Sequence, residues 1–319
     1  MTTGEVLISI EQVYRYYGDY CAVNNVSFTV ERGEVLGFLG PNGAGKSTTM
    51  QIISGVLTAS TGSVSIAGND IIDSPRAAKS QIGFLPEKPP LYIDLTVDEY
   101  LAYAGRLRGL RKKDLKNAIL NCKYRCGLES VGHRLIGNLS KGFQQRIGIA
   151  QAIIHSPAVV ILDEPTSGLD PIQIREIRKL IKELGSDHSV ILSTHILPEV
   201  QTICDRALII HNGRLVFDKK LNSLHGDEDK TALQLAFREA PDITTIESIN
   251  GVLSADVIDE YRFSITLDRN SDALDALVKQ SVNSCWGLFE MIPESDSLEE
   301  TFMRLTGGEQ ATVATEELA

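Results

Sequence analysis

The sequence holds no apolar run approaching the roughly 20 residues that a membrane-spanning helix needs, so no span of its own is expected. Cysteine is sparse: five are scattered over 319 residues, only Cys122 and Cys126 lie close together, and no zinc or redox spacing occurs. An odd count argues against a disulfide framework and for free thiols in a reducing cytosol. Residues 1–5 have neither a basic head nor an apolar stretch, so no secretory leader is expected. Basic residues are scarce near the end of the chain. Residues 226–319 carry 6 Lys and Arg against 20 Asp and Glu, a net of −14, whereas residues 1–225 carry 25 against 22, a net of +3. That asymmetry places a domain boundary near residues 226–229 and argues against nucleic acid as a partner of the C-terminal part, and no nucleic-acid partner is expected. A hydrophobic content of 43% is ordinary for a globular protein, and the length suffices for two domains.

Against these absences stands one dense motif, Gly40-Pro41-Asn42-Gly43-Ala44-Gly45-Lys46-Ser47-Thr48. It satisfies the phosphate-binding pattern G-x-x-x-x-G-K-[ST] at every fixed position. A short apolar strand precedes it, and residues 46–56 follow with Met50, Ile53 and Val56 at helical spacing. Glycines let backbone amides turn inward around phosphate oxygens, Lys46 reaches the terminal phosphates, and the Ser47 hydroxyl can ligate Mg²⁺. The motif predicts nucleoside triphosphate binding.

Strands are expected at 6–10 and 26–30, with Tyr14, Tyr16, Tyr17 and Tyr20 between them, then at 63–67 after a turn at Thr61-Gly62, and at 82–86. Residues 97–128 read as one helical, basic stretch. Its eight cations from Arg106 to Arg125 face a single acid, Asp114, and form either a solvated face or a surface for anionic lipid. Residues 158–162 are a continuous apolar run, as in a parallel strand buried on both faces. A helix over 171–184 and a strand over 189–193 complete an alternation that implies a mostly parallel sheet flanked by helices, an α/β fold. Beyond 228 the order becomes βαββαβ, with strands at 231–237, 252–258, 261–267 and 285–292 and helices at 243–249, 272–279 and 298–305. This suggests a small ferredoxin-like α+β domain over 226–306. Residues 307–319 lack periodicity and are expected to be disordered.

The apolar run at 158–162 ends in Asp163 and Glu164. There Asp163 can hold Mg²⁺ directly or through water, while Glu164 points elsewhere and can act as general base toward water. In this setting the chain resembles an ABC-type ATPase, the ATP-binding subunit of an ABC transporter, over about residues 4–225. Leu139-Ser140-Lys141-Gly142-Phe143-Gln144-Gln145-Arg146 stands in the place of the LSGGQ signature, Ser167-Gly168-Leu169-Asp170 matches the D-loop, and His195 matches the switch histidine. The resemblance implies a P-loop core with a mostly parallel sheet, an antiparallel β subdomain, and a helical subdomain over about 88–155. It implies ATP and Mg²⁺ as cofactors, with Glu164 and His195 catalytic and Ser47, Asp163 and Glu87 at the metal. Tyr17 would stack on adenine, with Tyr16 as rival, and Ser140 and Gly142 would meet the nucleotide held by a second copy. Ser140 also reads as the N-cap of an apolar helix. His133, His155, His188, His211 and His225 carry no comparable context and are expected at the surface.

Three positions depart from the family pattern: Lys141 for glycine, Phe143 for glutamine, and Glu87 for the Q-loop glutamine. The implied partners are a second nucleotide-binding subunit and a separate membrane permease. The implied location is cytoplasmic, peripheral on the inner face of the cell membrane. The likeness extends to exporter groups associated with gliding motility and nitrous-oxide reductase maturation, on the run 162–171 and the ending 297–306. A soluble assembly scaffold of iron–sulfur type is the alternative function.

Overall fold

Alternating apolar residues build the first elements. Strand β1 (Val6–Tyr17) and strand β2 (Tyr20–Glu31) pair antiparallel, burying Ile8, Ile10, Val13, Val23, Val26 and Phe28. Each is 12 residues long, so the tyrosine cluster lies on the strands and not between them. After β3 (Val35–Leu39) and α1 (Lys46–Ile53) come β4 (Thr61–Ile66), β5 (Asn69–Asp70) and α2 (Pro75–Ser80). Thr61 and Gly62 belong to β4, which pairs with β1 in an antiparallel sheet of order β2-β1-β4-β5. Helix α1 stops before Val56, which is 67% exposed and therefore not on its buried face.

Strand β6 (Ile82–Leu85) leads to a helical region, where the expected single stretch divides into α3 (Val97–Leu107) and α4 (Lys112–Cys126). The break has a cause in Gly109, whose φ of +84° is a conformation that helices do not accommodate. A reciprocal pair starts α3: Thr96 Oγ1 accepts from the Glu99 amide, and the Glu99 carboxylate accepts from the Thr96 amide. Of the eight cations, Lys123 pairs with Asp98 at 2.6 Å and Arg125 with Asp187 at 3.0 Å. The basic segment is thus only partly a solvated face. Helix α5 (Lys141–Ile153) follows, then β7 (Val159–Asp163), α6 (Pro171–Leu184), β8 (Ser189–Thr194), α7 (Leu197–Ile203), β9 (Arg206–His211) and β10 (Arg214–Lys220). The short helices α2 and α7 carry too few residues to show a period, whereas the apolar run at 207–210 in β9 is the same kind of signal as that at 158–162 and stands outside the expected elements.

The central sheet has the order β10-β9-β3-β8-β7-β6, in which β9 with β3, β3 with β8, β8 with β7 and β7 with β6 pair parallel. Every residue of β3, β7 and β8 is buried. Burial reaches three histidines expected at the surface, His188, His155 and the half-buried His211. His188 is 5% exposed, its Nδ1 2.7 Å from the Pro157 carbonyl and its Nε2 3.3 Å from Arg125. His155 is half-buried, with Nε2 3.1 Å from the Ile82 carbonyl. The His188 and His155 side chains meet backbone carbonyls that precede or open strands, a demand that sequence spacing does not reveal.

This computed structural model describes residues 5–221, 230–268, 271–293 and 298–306. The chain divides into two compact units, Met1–Asp218 and Lys219–Ala319. The boundary expected at 226–229, His225, Ser297 and the tail 307–319 lie outside the described residues. The second unit comprises β11 (Lys230–Phe237), α8 (Ile243–Glu247), β12 (Val252–Val257), β13 (Arg262–Asp268), α9 (Ala273–Asn283), β14 (Leu288–Pro293) and α10 (Leu298–Thr306). Its antiparallel sheet has the order β12-β13-β11-β14, the ferredoxin-like arrangement. Phe237 centres its core, edge-on to Phe263 at 5.7 Å and to Trp286 at 5.8 Å. Among the described residues, no helix is long and apolar enough to cross a membrane.

Candidate functional site

The loop 40–45 leaves the end of β3 and enters α1 at Gly45, so the α1 amides open where the parallel strands end. Two of its glycines are required by packing. A Cβ on Gly40 would collide with the Ile210 carbonyl, and one on Gly45 (φ +105°) would lie 2.5 Å from the Ala22 carbonyl. Gly43 (φ +81°) has open space around it, so backbone conformation alone demands glycine there. The loop is therefore wedged between β2 and β9, with its amide-lined side left open for an anion.

That side forms one wall of a cavity of about 510 Å³. Of the residues expected at the nucleotide, Tyr17, Asn42, Gly43, Gly45, Lys46, Ser47 and Thr48 line it, joined by Glu87, Glu164 and His195. Ser167, the first residue of the D-loop match, also lines it, as do Tyr20 and Ala22, which the sequence motifs do not single out; membership of the tyrosine cluster is the one signal for Tyr20. Tyr16 does not line the cavity; its ring lies parallel to that of Tyr14, with centroids 6.3 Å apart. The Arg15 guanidinium covers the Tyr17 ring at 4.9 Å. Gly40 and Pro41 contribute their carbonyls, which accept from Lys46 Nζ at 2.9 and 3.1 Å. Ala44 is buried behind the loop. Ser140 and Gly142 lie outside this cavity: Ser140 caps α5, its hydroxyl accepting from the Phe143 amide at 3.4 Å, while Gly142 is packed under Gln173.

Three ionisable side chains meet inside. Lys46 Nζ is 3.4 Å from Glu164 Oε1, and His195 Nδ1 is 2.8 Å from Glu164 Oε2. Lys46 and Glu164 are buried, while the His195 side chain is 44% exposed. Glu164 does not point away as strand alternation would require. Its φ of +48° is a left-handed conformation that turns the side chain into the cavity, and its amide donates to the Ser193 carbonyl at 2.9 Å. The switch residue has its own anchor next door. Thr194 Oγ1 donates to the fully buried Glu199 at 2.9 Å and accepts from the Ile196 amide at 3.1 Å, and Arg178 reaches Glu199 at 3.3 Å.

Asp163 sits behind the lining, 2% exposed. Burial raises its pKa, the nearby Ser193 and Ser47 hydroxyls oppose that shift, and the charges of Glu164 and Glu87 reinforce it. Asp163 Oδ1 is buried with no hydrogen-bond partner among the described residues. A buried carboxylate oxygen without a partner, next to a serine hydroxyl and within the field of two further carboxylates, is an oxygen donor set of the kind Mg²⁺ prefers. The residues present fit that ion, with Ser47 on the lining and Asp163 one layer behind.

Residues 23–167 match the family model described as ABC transporter. The ABC transporter ATP-binding protein NatA of Bacillus subtilis strain 168 is 39% identical over 218 residues, spanning 68% of this chain and 89% of the relative. The bacitracin transport ATP-binding protein BcrA of Bacillus licheniformis is 30% identical over 310 residues, 95% of this chain and 98% of the relative. Among solved structures, the dimeric structure of MJ0796, a bacterial ABC transporter cassette, aligns with a TM-score of 0.62 at 25% identity, covering 67% of this chain and 99% of that one.

Proposed function

The chain belongs to the ABC transporter ATP-binding family, and from that membership we propose that it powers export through a separate membrane permease, using the cluster of Lys46, Glu164 and His195. It is an ATPase subunit that takes ATP with Mg²⁺. Cassettes of this kind form dimers and work with permease subunits. The observation that carries the proposed chemistry is Glu164, held between Lys46 and His195 inside the cavity that the phosphate loop opens onto.

In this reading the inward amides of residues 42–48 and Lys46 bind the phosphates. Lys46 is held by Glu164 and by the Gly40 and Pro41 carbonyls, so binding exchanges these acceptors for phosphate oxygens. That exchange frees Glu164 Oε1 to accept a proton from the attacking water. His195 orients the carboxylate by donating from Nδ1. A neutral ring then has only an acceptor at Nε2, so simultaneous donation to a phosphate requires the imidazolium. Ser47, Asp163 and Glu87 are the side chains that would hold Mg²⁺ or its waters, and the ion would supply positive charge against the phosphates. Tyr17 supplies a planar face for adenine.

A role in transport is supported by the relative whose name carries bacitracin transport. The finer likeness to the motility and nitrous-oxide groups rests on the run 162–171 and the ending 297–306 alone, and the relatives give the iron–sulfur scaffold no support. The ATPase is then peripheral, on the cytoplasmic face of the membrane. Copurification tests this. Full-length chain extracted in mild detergent is expected to bring a polytopic membrane protein with it in a fixed ratio. Recovery of the chain wholly in the soluble fraction, without such a partner, would contradict the reading.

A further inference from the structure

A second cavity, of about 580 Å³, lies between α2, the end of α3 and the end of α5. Arg76, Lys79, Arg108 and His155 line it, and no carboxylate does. Among the described residues, none of the three permanent cations makes an ion pair. Arg108 is partly buried, and burial alone lowers its pKa, the mark of a cation removed from water without a counter-charge. Its Nη1 donates to the Lys79 carbonyl at 2.9 Å, which fixes the guanidinium in the wall. Its other N–H groups have no acceptor among the described residues. His155 uses Nε2 on the Ile82 carbonyl, and its Nδ1 is buried with no partner among the described residues. Burial, then the charge of Arg108, lowers the His155 pKa to about 4.

From this juxtaposition of three cations without counter-ions, one of them a guanidinium fixed in the wall, we infer that the cavity binds a phosphate monoester. A guanidinium presents a planar fork suited to phosphate oxygens, and Lys79 and Arg76 add charge at the rim. Leu107, Leu110 and Pro75 give the remainder of the wall an apolar surface for an organic group. The site is separate from the nucleotide cavity. Ile82 opens β6 and Glu87 follows its end, so the two are roughly 15 Å apart along that strand at about 3.3 Å per residue. His155 also follows the end of α5, whose other end carries Ser140. An anion here therefore sits at the far end of the helix that bears the signature.

The phosphate can come from a soluble ester or from a lipid headgroup, and the test separates them. The full-length, histidine-labelled chain is saturated with MgADP to fill the phosphate loop. Glycerol 3-phosphate is then titrated while the His155 ring resonances, assigned with His155→Gln, are followed by NMR. In parallel, the chain is sedimented with phosphatidylcholine vesicles with and without phosphatidic acid. Arg108→Ala removes a contact to α2 and can unfold it, so the decisive variant is Arg76→Gln with Lys79→Gln, two exposed side chains. A saturable His155 shift with a raised pKa, weakened at least tenfold in the double variant, supports a soluble ester. Sedimentation with phosphatidic acid only, weakened likewise, supports a lipid headgroup. If neither probe binds, or if the double variant binds as wild type does, the proposal is overturned.

Discussion

Consecutive residues of a strand point to opposite faces, and Asp163 and Glu164 escape that rule through one torsion. The left-handed backbone of Glu164 costs on the order of 1–3 kcal/mol, which the surrounding buried strands must sustain. It sets the carboxylate against Lys46 and His195, while Asp163 stays one layer deeper. The acids were visible in the sequence as the end of an apolar run; their different depths were not, because a torsion outlier leaves no signature in residue type. Tyrosine choice is a similar case. Spacing left Tyr16 and Tyr17 as rivals, and only the turn of the strand shows Tyr17 at the cavity and Tyr16 beside Tyr14. Stacking beyond area burial is worth ~0.5–1.5 kcal/mol. Tyr17→Ala is accordingly expected to weaken nucleotide binding by about 3–10-fold, and Tyr16→Ala to leave it within twofold, in a fluorescent-nucleotide titration.

At the scale of elements, the buried strands and the amphipathic helix α6 were legible because burial on both faces, or on one stripe, imposes a period. Helix α2 and strand β10 were not, and neither was the break between α3 and α4, which rests on a single glycine in a left-handed conformation. His188 joins two elements. It bonds the carbonyl that precedes β7 and accepts from Arg125 on α4, an arrangement that needs the neutral ring. Its pKa is lowered, with burial as the first cause and the Arg125 charge adding to it. A folded-state pKa below the unfolded value leaves stability unaffected at pH above about 6.5. As pH falls below that value, the unfolded chain takes up a proton that the folded chain refuses, and stability is lost. Thermal melts between pH 7.5 and 5 should therefore show a falling Tm. His188→Gln, whose amide can serve both partners, should flatten that fall; an unchanged slope would mean that the ring is not held neutral.

The molecule as a whole carries two units with different charge and different architecture, and the change of period near residue 230 made the second one legible before any contact was known. Only the family resemblance points Ser140 to a nucleotide held by a second copy, since in its own chain the hydroxyl lies outside the cavity. The proposed dimer resolves this by bringing the exposed start of α5 to a partner's phosphates, where amide dipoles favour negative charge. Ser140→Arg is then expected to abolish ATP-dependent dimerisation in light scattering while monomeric nucleotide affinity stays within a fewfold of wild type. A dimer of unchanged stability would place α5 away from the interface.

The central claim is that Glu164 takes the proton from water in ATP hydrolysis, and Glu164→Gln tests it most directly. The measurement is steady-state turnover of MgATP by the purified transporter complex, wild type beside variant, with nucleotide affinity determined on the same samples. The amide removes the base and also releases Lys46 from its carboxylate partner at 3.4 Å. The predicted result is a turnover lower by ~10²–10⁴-fold with ATP bound as tightly as in wild type or more so. Turnover near the wild-type rate, with affinity intact, would contradict the account.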